Sequence, residues 1–326
     1  MSGEITTRVQ DESEREEALA FLDQARQFYA TAGTYTSANP LLYYYAFLNL
    51  AKPLIRVRGY DGKLVRSYHG LHPESTGSGS SLADFKLVVE GQHEKKVNVF
   101  AELSRRLGSG TPATGVVDVE DLMAQVAIGH RLWRQAVNGR ERFLGIYKVE
   151  MLQDPRASLM WLRLLIKRED LTRFGLSHST VLEEGDLKSI FREVRGSGIP
   201  SDCIAFEQVE PVNYGHRPND FLDDLVDDQR DRLWRIVSAD STQGYRKYYL
   251  HLSPQSKRRD PQLLSMWMLL FHFGSMVRYQ PHVYSAMTRG KYGAFIQEFV
   301  TAQPEQMLYL LASELCEREV AKPSIA

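Results

Sequence analysis

Asn49 and Lys52 stand three residues apart in a stretch that reads as a helix, so they share one face. A cation beside an amide can hold a phosphate; a solvated helix face is the plainer reading of the same spacing. His69 follows in a glycine-containing loop. Loops carry sites more often than cores do, and imidazole is the side chain that changes charge near neutral pH. The plainer role for His69 is a turn histidine bonded to backbone. Tyr43, Tyr44, Tyr45 and Phe47 cover all sides of the helix that bears Lys52. Most of such a run is core, with base stacking as the minor reading. His272 lies deep in an apolar stretch and reads as a core histidine. Asp220, Asp223, Asp224, Asp227, Asp228 and Asp231 form an acidic face, where a metal would need further ligands from elsewhere. The sequence has no CxxC, HExxH, Walker A, strand-linked GxGxxG or GxSxG motif. No metal and no cofactor is therefore expected.

Charge sets a second bound. The 326 residues contain 40 Lys+Arg and 41 Asp+Glu, a formal net charge of −1. That balance argues against a globally basic nucleic-acid binder but leaves room for a local patch. Residues 1–24 sum to −5, whereas residues 245–291 sum to +7. The basic run includes Arg246, Lys257, Arg258, Arg259 and Arg278. On one face, these bases would attract phosphates with a steep salt dependence; the acidic stretch at 219–231 is their alternative partner within the fold. Cys203 and Cys316 make no disulfide framework and suit a reducing cytosol. The acidic, polar N-terminus does not read as a signal peptide. The most apolar stretch, Leu263 to Val277, is 15 residues long, short of the ~20 that a membrane span needs. A soluble cytoplasmic protein is expected.

The elements that must position these residues follow from periodicity. Residues 13–30 read as an amphipathic helix with Ser13 and Glu16 as a capping box. Residues 39–57 read as a second helix, capped by Asn39 and kinked or ended by Pro53. Residues 59–81 read as a loop, 84–100 as two short strands, and 119–137 as a helix with Asp118 as its cap. Residues 143–152 and 159–167 form a predicted hairpin across the turn DPRAS. A short helix at 184–194, a strand at 204–212, a helix at 219–237 and a strand at 245–252 follow. From Pro261 to about Val320 the period is helical. The Gly/Ser tracts at 77–81 and 195–202 are the candidate linkers.

Two blocks carry a family resemblance. The first runs over residues 39–71, with Asn39, Pro40, Leu41, the Tyr43–Tyr45 run, Asn49, Leu50, Ala51, Lys52, and then His69, Gly70 and Leu71. The second holds Arg278, Tyr279 and Pro281 as an Arg-Tyr-x-Pro motif. The chain resembles the YaaC-like family of bacterial proteins through these blocks, with Tyr284 where that family usually has Trp. The first block is also similar, more distantly, to the tyrosine-rich helix of HEPN domains, helical bundles among which are many ribonucleases. These resemblances imply an α+β, predominantly helical fold. Its N- and C-terminal helices would form a HEPN-like bundle around an inserted mixed α/β segment, with regions at 1–139, 140–255 and 256–326.

HEPN ribonucleases place four to six residues between Arg and His, one to stabilise developing phosphorane charge and one to move a proton. Arg66/His72, Arg173/His178 and Arg246/His251 fit that spacing, but chance supplies about two such matches in a chain of this composition. Arg278 and His282 have three intervening residues, one short of the motif, at the end of the most apolar helix. A capping or ion-pairing Arg278 is the structural reading. The implied function is a non-catalytic nucleotide-, nucleic-acid- or partner-binding module in stress or phage defence. The alternative is a metal-independent ribonuclease of an antiphage or toxin–antitoxin system. The candidate catalytic residues are Arg278, His282 and His69. The candidate phosphate-binding residues are Lys52, Asn49, Arg66, Lys257, Arg258 and Arg259. RNA or a nucleotide, and a protein partner or second copy, are the expected partners, with no membrane.

Overall fold

The computed structural model describes residues 1–34, 39–74, 85–93, 95–108, 110–215, 233, 236–242, 245–253 and 258–322. The tract at 77–81, the acidic positions 220–231 and Lys257 lie outside the described residues. The protein is α+β, and the chain divides into two compact units. One holds Met1–Gly139, Ser241–Arg246 and Gln262–Ala326; the other holds Arg140–Asp240 and Lys247–Pro261.

The first unit is organised around one helix. Helices α1 (Ser2–Arg8), α2 (Glu12–Ala32) and α3 (Asn39–Val57) open the chain. Then come α4 (Val99–Arg106), α5 (Val119–Met123) and α6 (His130–Val137). Counting α7 and α8 in the second unit, the last three helices are α9 (Gln262–Tyr279), α10 (Pro281–Arg289) and α11 (Gly293–Cys316). Helix α3 packs against α2, α9 and α11. Its residues Phe47, Leu50, Ala51, Leu54 and Ile55 are at most 3% exposed. Burying each large apolar side chain stabilises by about 1.5–3 kcal/mol. That burial carries α3 past Pro53 to Val57, the predicted range of 39–57, and Pro53 does not end it. Pro53 has no N–H to give, and the Asn49 carbonyl consequently lacks its helical donor.

Several local expectations are corrected. Asp11, not Ser13, caps α2, accepting from the Glu14 N–H at 2.9 Å. Asn39 is itself helical and its Oδ1 is buried without a hydrogen-bond partner. The predicted helix at 119–137 is two helices, parted where Gly129 takes a positive φ of 86°. Asp118 makes no side-chain cap. The loop from 59 contains strands β1 (Ser67–Tyr68) and β2 (Leu71–Glu74). These are joined by β3 (Lys86–Val89), β4 (Val97–Asn98) and β5 (Gly115–Asp118). Strands β2, β3 and β5 make an antiparallel sheet in that order, while β1 and β4 pair in parallel. The short strands lack a full period of alternation, so the sequence pattern shows them poorly.

In the second unit, β6 (Phe143–Gly145), β7 (Lys148–Asp154) and β8 (Leu159–Lys167) lead to α7 (Arg168–Phe174) and α8 (His178–Glu184). Strands β9 (Phe191–Val194), β10 (Cys203–Gln208), β11 (Val212–Asn213), β12 (Val237–Asp240) and β13 (Lys247–His251) complete it. The β7–β8 hairpin forms as expected. The predicted helix at 184–194 instead ends at Glu184 and yields strand β9, because Phe191 pairs opposite Gln208 and is buried. One sheet places β8 between β7 on one side and β10 with β11 on the other, with β9 beyond β10; the other runs β12–β13–β6. Leu162, Leu164, Ile166, Phe191, Ile204 and Phe206 lie in its core. Among the described residues, no helix is long and apolar enough to cross a membrane.

Candidate anion site on helix α3

His69 sits between β1 and β2, held by its neighbour. Gly70 adopts a positive φ of 78°, and a Cβ there would lie 1.8 Å from the Asn98 Oδ1. Asn98 is fully buried. Its Oδ1 accepts from the Ala101 N–H at 3.0 Å, capping α4, and its Nδ2 donates to the Glu90 carbonyl at 3.0 Å. The Glu90 N–H donates to the Gly70 carbonyl at 2.9 Å. Only glycine takes this conformation at so close an approach without strain. The His-Gly pair thus fixes the imidazole against α3.

Tyr44, one residue along from Tyr45 on α3, brings its hydroxyl 2.5 Å from His69 Nδ1. The same imidazole lies 6.0 Å from the Phe271 ring of α9, centroid to centroid. His69 is half-buried. Burial lowers its pKa, the nearby charges of Lys52 and Arg278 lower it further, and Glu90 opposes weakly. His69 is therefore neutral at pH 7 and stands within the fields of two cations. Its Nε2 has no hydrogen-bond partner among the described residues.

Each cation is held differently. Lys52 is half-buried, with Nζ 4.0 Å from the centroid of the Phe21 ring of α2. Burial lowers its pKa, against the pull of Glu17. Arg278 is exposed at the end of α9 and donates from Nη1 to the Tyr45 hydroxyl at 3.0 Å. Phe28 of α2 stacks on Tyr45 with ring centroids 5.7 Å apart. Asn49 is 5% exposed, so it does not lie on a solvated face. Its side chain makes no hydrogen bond among the described residues. Tyr45, Asn49 and Lys52 follow one another at helical spacing along the same side of α3.

The arrangement joins three of the predicted residues, His69, Lys52 and Arg278, and adds Tyr44 and Tyr45, which periodicity assigned to the core. The signal for them was chemical: a hydroxyl at each of two adjacent helical positions where phenylalanine would serve packing alone. His282 is exposed in the first turn of α10 and makes no hydrogen bond or ion pair with Arg278 or His69 among the described residues. The Arg66 side chain is exposed, while its carbonyl accepts from the Val97 N–H at 2.9 Å.

Three members of the basic run are engaged in internal bonds. Arg258 pairs with Asp260 through two contacts of 2.6 and 2.8 Å. Arg259 donates to the Glu184 and Gly185 carbonyls at the end of α8. In the first unit, Arg246 donates to the Ser313 hydroxyl at 2.7 Å. The His72 imidazole pairs with Glu90 at 2.7 Å. Among the described residues, no group of three or more His, Cys, Asp and Glu side chains could hold a metal ion.

No curated protein and no solved structure matches the chain. The profile of the YaaC-like protein family matches residues 4–315, which include α3, the His69 loop and Arg278. That match spans nearly the whole sequence, and the chain belongs to the YaaC-like protein family.

Proposed function

We propose that this protein binds a phosphate-bearing ligand, a nucleotide or a single-stranded nucleic acid, at the α3 site. The observation that supports this reading is the placing of neutral His69 under the joint influence of Lys52 and Arg278. Two cations that bear on one half-buried imidazole, opposed only in part by Glu17 and Glu90, favour an added anion. If Tyr44 donates to Nδ1, then Nε2 carries the proton and can donate to a phosphate oxygen. The half-buried rings of Phe21 and Phe28 offer a surface on which a base could stack. A HEPN-like ancestry of the terminal helices, and a role in stress or phage defence, belong to the same reading.

The test is titration with AMP, ATP and a short single-stranded RNA in the absence of metal. Lys52→Ala and Arg278→Ala should each weaken binding about tenfold or more, the scale of one charge-assisted hydrogen bond. His282→Ala should leave it unchanged. Equal binding by wild type and both cation variants would refute the site.

Metal-independent RNA cleavage is the second reading, favoured by the neutral state of His69. If Nδ1 donates to the Tyr44 oxygen, the bare Nε2 can accept a 2′-hydroxyl proton while Arg278 or Lys52 faces the phosphate. The base is then His69 in place of His282. Cleavage of RNA that survives in His69→Gln would exclude it.

A further inference from the structure

We infer that the edge of the second unit's sheet, strand β7, is a self-pairing surface that joins two copies of this chain. Strand β7 pairs with β8 alone among the described residues, so its other edge presents unpaired backbone groups. Val149 stands opposite Leu164 in the ladder, and Met151 opposite Leu162. Directly opposed residues share a face of the sheet. Leu164 and Leu162 are 1% and 8% exposed, yet Val149 and Met151 are 47% and 40% exposed, and Tyr147 is 55% exposed. Tyr147, just before the ladder, has the Lys167 ammonium 3.8 Å from its ring centroid, whereas Val149 and Met151 extend the core face onto the edge strand without a cover among the described residues. Natural edges are usually blunted by charge or proline on that face; here the charges, Lys148 and Glu150, alternate onto the other one.

The sequence of the strand commits the occupant. Antiparallel pairing of two β7 strands about Val149 sets Val149 against itself. It also sets Tyr147 opposite the partner's Met151, and Lys148 opposite the partner's Glu150, each twice by symmetry. Every pair is then complementary: apolar on the core face, opposite charges on the other. Centring the pairing on Glu150 sets two carboxylates together. Centring it on Met151 sets Val149 against the partner's Gln153. A symmetric dimer uses one patch twice, and β7 is self-complementary in the register that begins from Val149. A seven-residue strand offers less than the ~800 Å² per partner of a standard interface, so the association is concentration-dependent.

Sedimentation velocity of the full chain over about 1–200 μM, a range suited to a small interface, tests this. A monomer–dimer equilibrium is expected, weakened about tenfold or more by Val149→Lys, which opposes two cations at the dimer axis. Lys148→Glu should also weaken it, and adding Glu150→Lys should restore it, with circular dichroism showing each variant folded. On mild oxidation, Val149→Cys should cross-link to itself and Met151→Cys should not. A monomer at every concentration, a dimer untouched by Val149→Lys, or self-cross-linking through Met151→Cys would overturn the proposal.

Discussion

His69 and His272 are both lowered histidines, and their surroundings give them different consequences. For His69 the causes after burial are two named cations. Removing either one takes away a repulsion against the protonated ring, so Lys52→Met and Arg278→Met should each move the His69 pKa upward toward the ordinary 6.5. Imidazole chemical shifts followed through an NMR pH titration read this directly; an unmoved pKa would separate the cations from His69. His272 on α9 is fully enclosed, between Phe85 and Phe273, and both ring nitrogens lack hydrogen-bond partners among the described residues. Burial alone brings its pKa down to about 3 from 6.5. The unfolded chain takes up this proton below pH 6.5 and the folded chain does not, so stability present above 6.5 is lost as pH falls toward about 3. The slope from this one group is about 1.4 kcal/mol per pH unit. His272→Leu should remove that slope and leave a flatter stability curve between about pH 6 and 4 in chemical denaturation. Reading His272 as a core histidine was open to the sequence because all thirteen of its helical neighbours in α9, from Leu263 to Met276, are apolar or small. Its missing partners were not, since satisfaction depends on which atoms the fold brings to it.

At the scale of elements, the site is an intersection of helix faces with one tight glycine turn. Helix α3 was legible almost to the residue, because its aromatic and aliphatic residues leave no polar side but the one through Asn49 and Lys52. The turn was not, because Gly70 matters only against Asn98, a residue 28 positions later that caps a helix the periodicity did not show. That pairing yields a prediction. Gly70→Ala puts a Cβ on the Asn98 amide and forces a non-glycine residue into positive φ, at a cost of about 1–3 kcal/mol. Asn98→Ala removes the α4 cap, worth about 1 kcal/mol, along with the bonds to the Glu90 and Gly91 carbonyls. Thermal denaturation measures both losses. Both variants should also release His69 from its place, which a return of its NMR-measured pKa toward 6.5 would register. Loss of stability with an unmoved His69 would confine Gly70 to folding. The failures at 119–137 and 184–194 have a similar root. In each, a run with helical composition is interrupted by tertiary demands, the positive φ of Gly129 in one and the burial of Phe191 beside β10 in the other.

For the whole molecule, near-neutral charge conceals how few cations a ligand would meet. The +7 run at 245–291 looks in sequence like an electrostatic face. Folding divides it: Arg246 and Arg278 belong to one unit, Arg258 and Arg259 to the other. Arg246, Arg258 and Arg259 are engaged with Ser313, Asp260 and the carbonyls that end α8. Sequence shows the sum of charges but not which of them are already hydrogen-bonded, and that difference is measurable. A single-stranded nucleic acid held by Lys52 and Arg278 alone should release few counterions. The slope of log K against log salt should then be about −1.4, at ~0.7 per phosphate neutralised. Engagement of the entire basic run would give a slope near −5 by the same rule, roughly seven phosphates. Filter binding of a fluorescent RNA between about 50 and 300 mM salt, where such slopes are linear, distinguishes the two. In Arg278→Ala the slope should fall by about 0.7, whereas Arg258→Ala should leave it alone. A steep slope, or one that Arg258→Ala reduces, would move the binding surface from the α3 site to the second unit.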